Sequence, residues 1–547
     1  MLKAGHSYQD NTLDATTLRN IEAAKNLSQI IKSSLGPQGM NKLVITHLEK
    51  IIVTSDAATI VKELEIVHPA AKMVSMASEA QDSECGDGTN LVVSFAGELL
   101  TLTEELLRMG LHTSEIIAGY SKAAVKLVEE FPSLTKGVEP CRNAKDEAEL
   151  TRVITPVIMA KQCGLEAILA PLVAKACIAV MSNKVEGGGV TLSPDSVRVC
   201  KILGGSVSQS TCIRGMVLPR APETSFAYKS LNQAKIVVFG CGMEASQTEA
   251  KGTVLMKSAE DLKGYNKSEE TKMEEIIKSI QTSGAQVVVA GGAVSEMALH
   301  YLNKYQLMCI KIASKWELRR FCKAVNATAL VRLGAPMADE MGLCDLVKVV
   351  EIGGKHLTVF EQTASKSSQE CRIATIVLRA STHSVLADLE RAIEDGVHAA
   401  KSACSDGRLV AGGGAAEMQL RTALMQFGDT CPGLDQYAIR AFAKALEFVP
   451  RTLAENSGQD APSVLAALAA THSHSEFHFG VDIFETEAGT GIKNMITADP
   501  PIVDLYSTKL SAFRLAVDAA ITVLRVDQII MAKQSGGGMP MSGMNGH

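Results

Sequence analysis

Aromatic residues are scarce in this chain. Phe, Tyr and Trp make up 4% of its 547 residues, and Trp316 is the single tryptophan. No Lys/Arg cluster is interleaved with the aromatics, and the formal charge is −6, so the basic stripe of a nucleic-acid binder is missing. There is no CxxC pair. The 13 cysteines are scattered, the nearest two, Cys200 and Cys212, standing twelve positions apart. That spacing argues against a zinc site or a disulfide framework and for buried free thiols in a reducing compartment. Long uncharged apolar runs are also missing, since Leu91 to Leu111 carries Glu98, Glu104, Glu105 and Arg108. It reads as an amphipathic core helix of a soluble protein, and the polar start, Met1 to Ser7, does not resemble a signal peptide.

Aliphatic residues are plentiful. The chain is 46% hydrophobic, rich in Ala, Val, Ile and Leu, and its length implies about three domains of α/β type. Its focal stretch is Glu84-Cys85-Gly86-Asp87-Gly88-Thr89-Asn90, followed by the apolar run from Leu91. A carboxylate between two glycines at a helix start suits Mg²⁺ and phosphate: first-turn amides and the helix dipole favour an anion, and Asp87 is a candidate metal ligand. The same residues also suit a plain N-cap and turn.

Taken in order, helical periodicity spans Thr17 to Leu35 and stops at Gly36-Pro37-Gln38-Gly39, and a hairpin is expected over Lys42–Ile45 and Lys50–Thr54. Asp56 follows at a strand-to-helix junction, where an N-cap is the first reading. Helices then dominate to Phe131, and Lys161 ends another, either solvated or within reach of a phosphate. Gly204-Gly205 after a strand is a candidate hinge. Between about Ser206 and Gln369 short strands alternate with helices, an α/β insert with its own core. Gly240-Cys241-Gly242 imitates the start of a dinucleotide fingerprint, but no apolar-periodic helix follows, so an oxidoreductase reading has little to rest on. A helix over Ser384–Ala403 puts Asp395 off its buried stripe, facing either solvent or a cleft. Gly412-Gly413-Gly414 repeats the glycine-at-helix-start theme, His472, His474 and His478 have poor metal spacing, and Asp504 precedes a helix expected over Thr508–Lys533. The glycine-rich tail beyond it is expected to be disordered.

Five motifs, Leu35–Met40, Asp56–Thr59, Gly86–Thr89, Glu390–Asp395 and Gly412–Ala415, stand in the order and at the spacing found in group II chaperonins, and the chain is similar to that family from about Thr17 to Lys533. Asn90, Ala57 and the run His68–Met73 narrow the resemblance to one subunit type of the eukaryotic cytosolic chaperonin. The resemblance implies a multidomain α/β fold. A mostly helical equatorial domain is formed by residues 1–140 and 404–533, an intermediate domain by 141–205 and 370–403, and an α/β apical domain by 206–369, with a lid protrusion near 243–273 and a tail at 534–547. It implies an ATPase of the cytosol in a hetero-oligomeric double ring of paralogous subunits, enclosing non-native clients such as actin and tubulin, without nucleic acid or membrane. The alternative is a structural subunit that retains nucleotide with little turnover. ATP and Mg²⁺ are the implied cofactors. By resemblance Asp87 ligates the metal, Leu35, Gly36, Gly88, Thr89, Asn90 and Leu91 cradle phosphate, and Asp395 with Asp56 positions the attacking water. Lys161 senses the γ-phosphate, Gly413 contacts the base and Asp504 the ribose. The sequence departs from the family pattern at Ser55, Ala411 and Ala380, none of which removes a ligating group.

Overall fold

The computed structural model describes residues 13–46, 49, 51–183, 190–225, 230–244, 259–362, 372–484 and 490–529. The expected tail, 534–547, and the greater part of the expected protrusion, 245–258 together with the side chains of 259–269, lie outside that description.

The first body is helical and is assembled from both ends of the chain. Leu13–Lys32, Pro69–Cys85, Thr89–Arg108 and Thr113–Glu130 pack with Ala415–Thr430, Asp435–Ala445 and Tyr506–Leu524 around one aliphatic core. Thr89–Arg108 is buried along most of its length because it runs through the middle, leaving a charged side at Glu98, Glu104, Glu105 and Arg108. Its Phe95 has the rings of Phe442, Phe448 and Phe513 at 5.6, 5.9 and 5.1 Å. Gly97 is needed there: a Cβ would stand 2.2 Å from Ser28 Cβ, so any larger residue would push apart the two helices that cross at this point. The hairpin forms as expected, Lys42–Ile45 against Ile51–Thr54.

A second body has helices Glu147–Lys161, Glu166–Val180 and His383–Ser405 over the parallel strands Val197–Leu203 and Ala374–Ala380. The third carries parallel strands Ser230–Phe239, Val287–Ala290 and Met308–Lys311. Alternate residues of Ser230–Phe239 serve two cores, Ile236 and Val238 meeting the cluster of Phe321, and Val237 and Phe239 that of Ile277 and Leu302. One nine-stranded sheet runs through both bodies.

The alternation of strands and helices expected over the insert is incomplete. Thr211–Leu218, Gly342–Ile352 and Lys355–Glu361 add antiparallel strands, the last two joined by Gly353-Gly354. The helix expected from Glu274 starts earlier, at Ala259, its first half being too charged to show an apolar period. The C-terminal helix stops at Leu524, where burial ends and Arg525 and Asp527 turn to solvent, rather than continuing to Lys533. Among the described residues no helix is long and apolar enough to cross a membrane. The glycines Gly240 and Gly242 serve packing: Gly240 donates to the Leu330 carbonyl at 2.7 Å, and a Cβ on Gly242 would stand 2.8 Å from Ala293 O.

Because Phe95 joins helices from both chain ends, Phe95→Ala should destabilise the helical body by about 4 kcal/mol. Its thermal transition should fall while that of the sheet-bearing bodies stays in place. A single unshifted transition would show that the ring cluster is not the centre of this core.

Candidate functional site

The turn Gly86-Asp87-Gly88 joins Pro69–Cys85 to Thr89–Arg108 with both glycines in the left-handed region, φ +69° and +81°. Gly88 is the N-cap and no side chain caps the helix, so neither Asp87 nor Thr89 has the capping role that the sequence also allowed. The Asp87 carboxylate instead accepts from the Gly88 amide at 2.6 Å, and the first-turn amides of Thr89, Asn90 and Leu91 have no acceptor inside the helix. Gln81, fully buried, holds the turn by donating to Asp87 O at 2.8 Å and Thr508 O at 3.2 Å.

A cavity of about 220 Å³ opens against this turn. It is lined by Leu35, Gly36, Asp87, Gly88, Leu91, Gly413 and Asp504, which the structure therefore brings together. Thr89 and Asn90 do not line it. The Asn90 side chain turns away to donate to Ile31 O at 3.3 Å and Ser34 Oγ at 3.1 Å, so toward the cavity it has only its backbone to offer. Gly414 caps the helix Ala415–Thr430 without a side-chain bond, giving a second open helix start that lines the same cavity.

Beside the cavity lies a charge cluster. Lys161 ends the helix Glu147–Lys161, whose Ala160 lines the cavity, and its ammonium pairs with Asp56 Oδ1 at 2.8 Å and with Asp395. It is therefore not solvated. Asp56 is the expected N-cap as well, its Oδ2 accepting from Thr59 N at 3.1 Å and Thr59 Oγ1 at 2.6 Å. Asp395 is 7% exposed, so the solvated-face reading fails too. Burial alone would raise the Asp56 carboxyl, but Lys161 and the Thr59 bonds outweigh it and hold the group below its ordinary value. Asp395 goes the other way: burial first, then repulsion from Asp87 and Asp56, raises it well above the carboxylate range against the pull of Lys161. Asp87 is raised by burial and by Asp504 and Asp56. Burial would lower the Lys161 ammonium, but Asp395 and Asp56 keep it raised and charged.

Two carboxylates thus share one ammonium with a third, Asp87, nearby, and Asp395 and Asp87 are pushed toward protonation. That excess of negative charge fits a divalent cation. Among the described residues no three His, Cys, Asp or Glu side chains converge on one metal position. The donor set therefore suits Mg²⁺, which is held through one or two carboxylates together with phosphates and water, and does not suit an all-protein cage. His472 is buried with Nε2 against Phe479 O at 2.9 Å, a packing role.

Sequence reasoning missed Lys509, Glu417 and Gln81. Lys509 Nζ sits 2.7 Å from Asp504 Oδ2 and 2.9 Å from Glu417 Oε1, with Glu417 fully buried. The available signal was a lysine and a glutamate at positions that the apolar period of their helices sends inward.

Removing the shared cation leaves two buried carboxylates facing each other. Lys161→Met should cost about 3 kcal/mol of stability at neutral pH. Without Lys161, burial holds both carboxyls above their unfolded values, so the deficit is smallest below about pH 4 and grows as pH rises, because the unfolded chain ionises first. A denaturation series in which the deficit shrinks with rising pH would contradict the ion cluster.

The TCP-1/cpn60 chaperonin family model matches residues 27–534. The chain is 47% identical over 543 residues to T-complex protein 1 subunit theta of Homo sapiens, covering 99% of this chain and 96% of that one. To the subunit theta of Arabidopsis thaliana it is 46% identical over 537 residues, 98% and 95% of the two chains, and to that of Dictyostelium discoideum 45% identical over 540 residues, 99% and 97%. These relatives are of the subunit type to which Asn90, Ala57 and His68–Met73 pointed. With a match over nearly its whole length, the chain belongs to the TCP-1/cpn60 chaperonin family.

Proposed function

We propose that this chain is an ATP-hydrolysing subunit of a hetero-oligomeric cytosolic chaperonin ring, in which nucleotide turnover drives the enclosure and folding of non-native proteins. The helical body is the equatorial domain, the second body the intermediate domain and the third the apical domain, with the expected protrusion as lid. The observation that carries the reading is the cavity between two uncapped helix starts, with Asp87 at its wall and the Asp56–Lys161–Asp395 cluster beside it.

The residues divide the work. The amides that follow Gly88, together with Leu35 and Gly36, cradle phosphate oxygens, since backbone donors at a helix start favour anions and cost no reorganisation. Asp87 holds Mg²⁺, which when bound neutralises charge on the phosphates. Asp395 is the base that orients the attacking water, its raised proton affinity suiting it to accept a proton, and Asp56, pinned by Thr59 and Lys161, supports it. Lys161 offers its ammonium to the terminal phosphate while keeping the two carboxylates in place. Gly413 lets the base lie against the backbone, and Asp504 accepts from the sugar.

Asp395→Asn keeps the shape and removes the base. In the assembled ring, with the other subunits inactivated, single-turnover ATP hydrolysis should fall about 100-fold or more while nucleotide affinity stays within about twofold. An unchanged rate would remove Asp395 from the chemistry. A wild-type subunit that already keeps its nucleotide unhydrolysed would favour the structural-subunit alternative.

A further inference from the structure

Lys509 is an expensive residue for its position. Its helix, Tyr506–Leu524, otherwise buries Tyr506, Ala512, Phe513 and Ala516 on that face, and an ammonium there must be desolvated. Buried ion pairs are poor sources of stability, so its placement calls for another account. The ammonium contacts both Glu417 oxygens, at 2.9 and 3.2 Å, and one oxygen of Asp504, Oδ2, at 2.7 Å. Glu417 lies in the first turn of the helix that starts at Gly414, while Asp504 sits on the short strand Val503–Leu505, paired with Val410 just before the glycine turn. Lys509 therefore ties together the three elements that form the glycine-turn end of the cavity, and Asp504, Glu417 and Lys509 all line it. The fully buried Glu417 is the fixed anchor, and the half-exposed Asp504 is the group whose orientation is being set.

We propose that Lys509 is the positioning residue for sugar recognition: by engaging Oδ2 it leaves Asp504 Oδ1 to accept from vicinal hydroxyls, and so makes the site select ribonucleotides over nucleotides that lack them. This rests on the nucleotide reading above. Without Lys509 the carboxylate loses its anchor and swings among rotamers, so affinity for the hydroxyl-bearing sugar drops, whereas the phosphate cradle at Gly88 and the Asp395 cluster lie on other elements and keep their geometry.

The test compares Mg²⁺–ATP with Mg²⁺–2′,3′-dideoxy-ATP in the full-length chain. Wild type should bind ATP about tenfold more tightly, the value of hydroxyl bonds to a charged acceptor. Lys509→Met should abolish most of that preference by weakening ATP alone, raise KM and leave kcat at saturation nearly unchanged. Asp504→Asn should remove the same preference for ATP over the dideoxy nucleotide, and the double variant should add nothing to that loss, because both act on one contact. If Lys509→Met does not fold, Glu417→Gln loosens the anchor and should give a smaller loss in the same direction. A variant that retains full discrimination, or that loses both nucleotides equally, overturns the proposal. Wild type binding both nucleotides equally well refutes sugar recognition at Asp504, and wild type binding neither refutes the nucleotide reading itself.

Discussion

The buried ammonium of Lys161 is the contact on which the arrangement of the site depends. It is the point where the helical body, through Asp56, meets the second body, through its own helix end and through Asp395. An isolated lysine would not stay charged at such a place, and here two carboxylates keep it so. The consequence reaches the cavity. With Asp87 as neighbour the cluster has three acids to one base, and in the cavity lining Lys509 is shared by Asp504 and Glu417. Side chains thus make the cavity negative, while the open helix starts at Gly88 and Gly414 make its backbone positive. A free phosphate would meet the carboxylates and a free cation the helix ends. A metal–phosphate pair satisfies both, which is why this cavity suits a metal nucleotide better than either part alone.

The nesting of the chain follows from the same geometry. The helix start at Gly88 and the one at Gly414 come from the two halves of the sequence and line one cavity, so the chain has to leave the helical body and return. It returns through Ala374–Ala380, whose parallel pairing with Val197–Leu203 brings the outgoing and incoming strands side by side. The expected hinge at Gly204-Gly205 lies at this junction, with both residues at φ above +90°. It is tethered as well, Gly204 donating to Ala380 O at 2.8 Å and accepting from Arg379 Nε at 2.9 Å. Any bending there carries the strand Ala374–Ala380 along with it.

Much of this was legible in the sequence because glycine and periodicity mark local events. The helix boundaries at Cys85 and Thr89, the hairpin at 42–54 and the helices Glu296–Lys304 and Lys315–Val325 follow from patterns a few residues long. The antiparallel strands at 342–361 carried a signal too, two alternating runs around Gly353-Gly354, but their register with Thr211–Leu218 and Ser230–Phe239 is a long-range pairing that no local pattern encodes. The charge clusters were harder. A lone Asp395 or Lys161 looks solvated on a helical wheel, and only tertiary packing shows that each is the other's partner. Lys509 and Glu417 are the extreme case, since one pairs with the other 92 positions away.

That the cluster spans two bodies ties ligand charge to domain contact. The proton affinity of Asp395 responds to the charge on Asp87, and Asp395 is bound to the lysine that holds Asp56. A cation arriving at Asp87 relieves the repulsion that keeps Asp395 raised, favouring its ionised form and thereby its pairing with Lys161. Phosphate oxygens arriving at the helix start act oppositely on the same ammonium by competing for it. A metal and phosphate bound there would therefore change the strength of the buried Lys161–Asp56 contact that joins the helical body to the second. By reciprocity, anything that shifts the second body against the first must alter affinity at the cavity by the same factor. No separate transmitting element is required, because the charged residues beside the cavity, Asp56, Lys161 and Asp395, are the residues that join the two bodies.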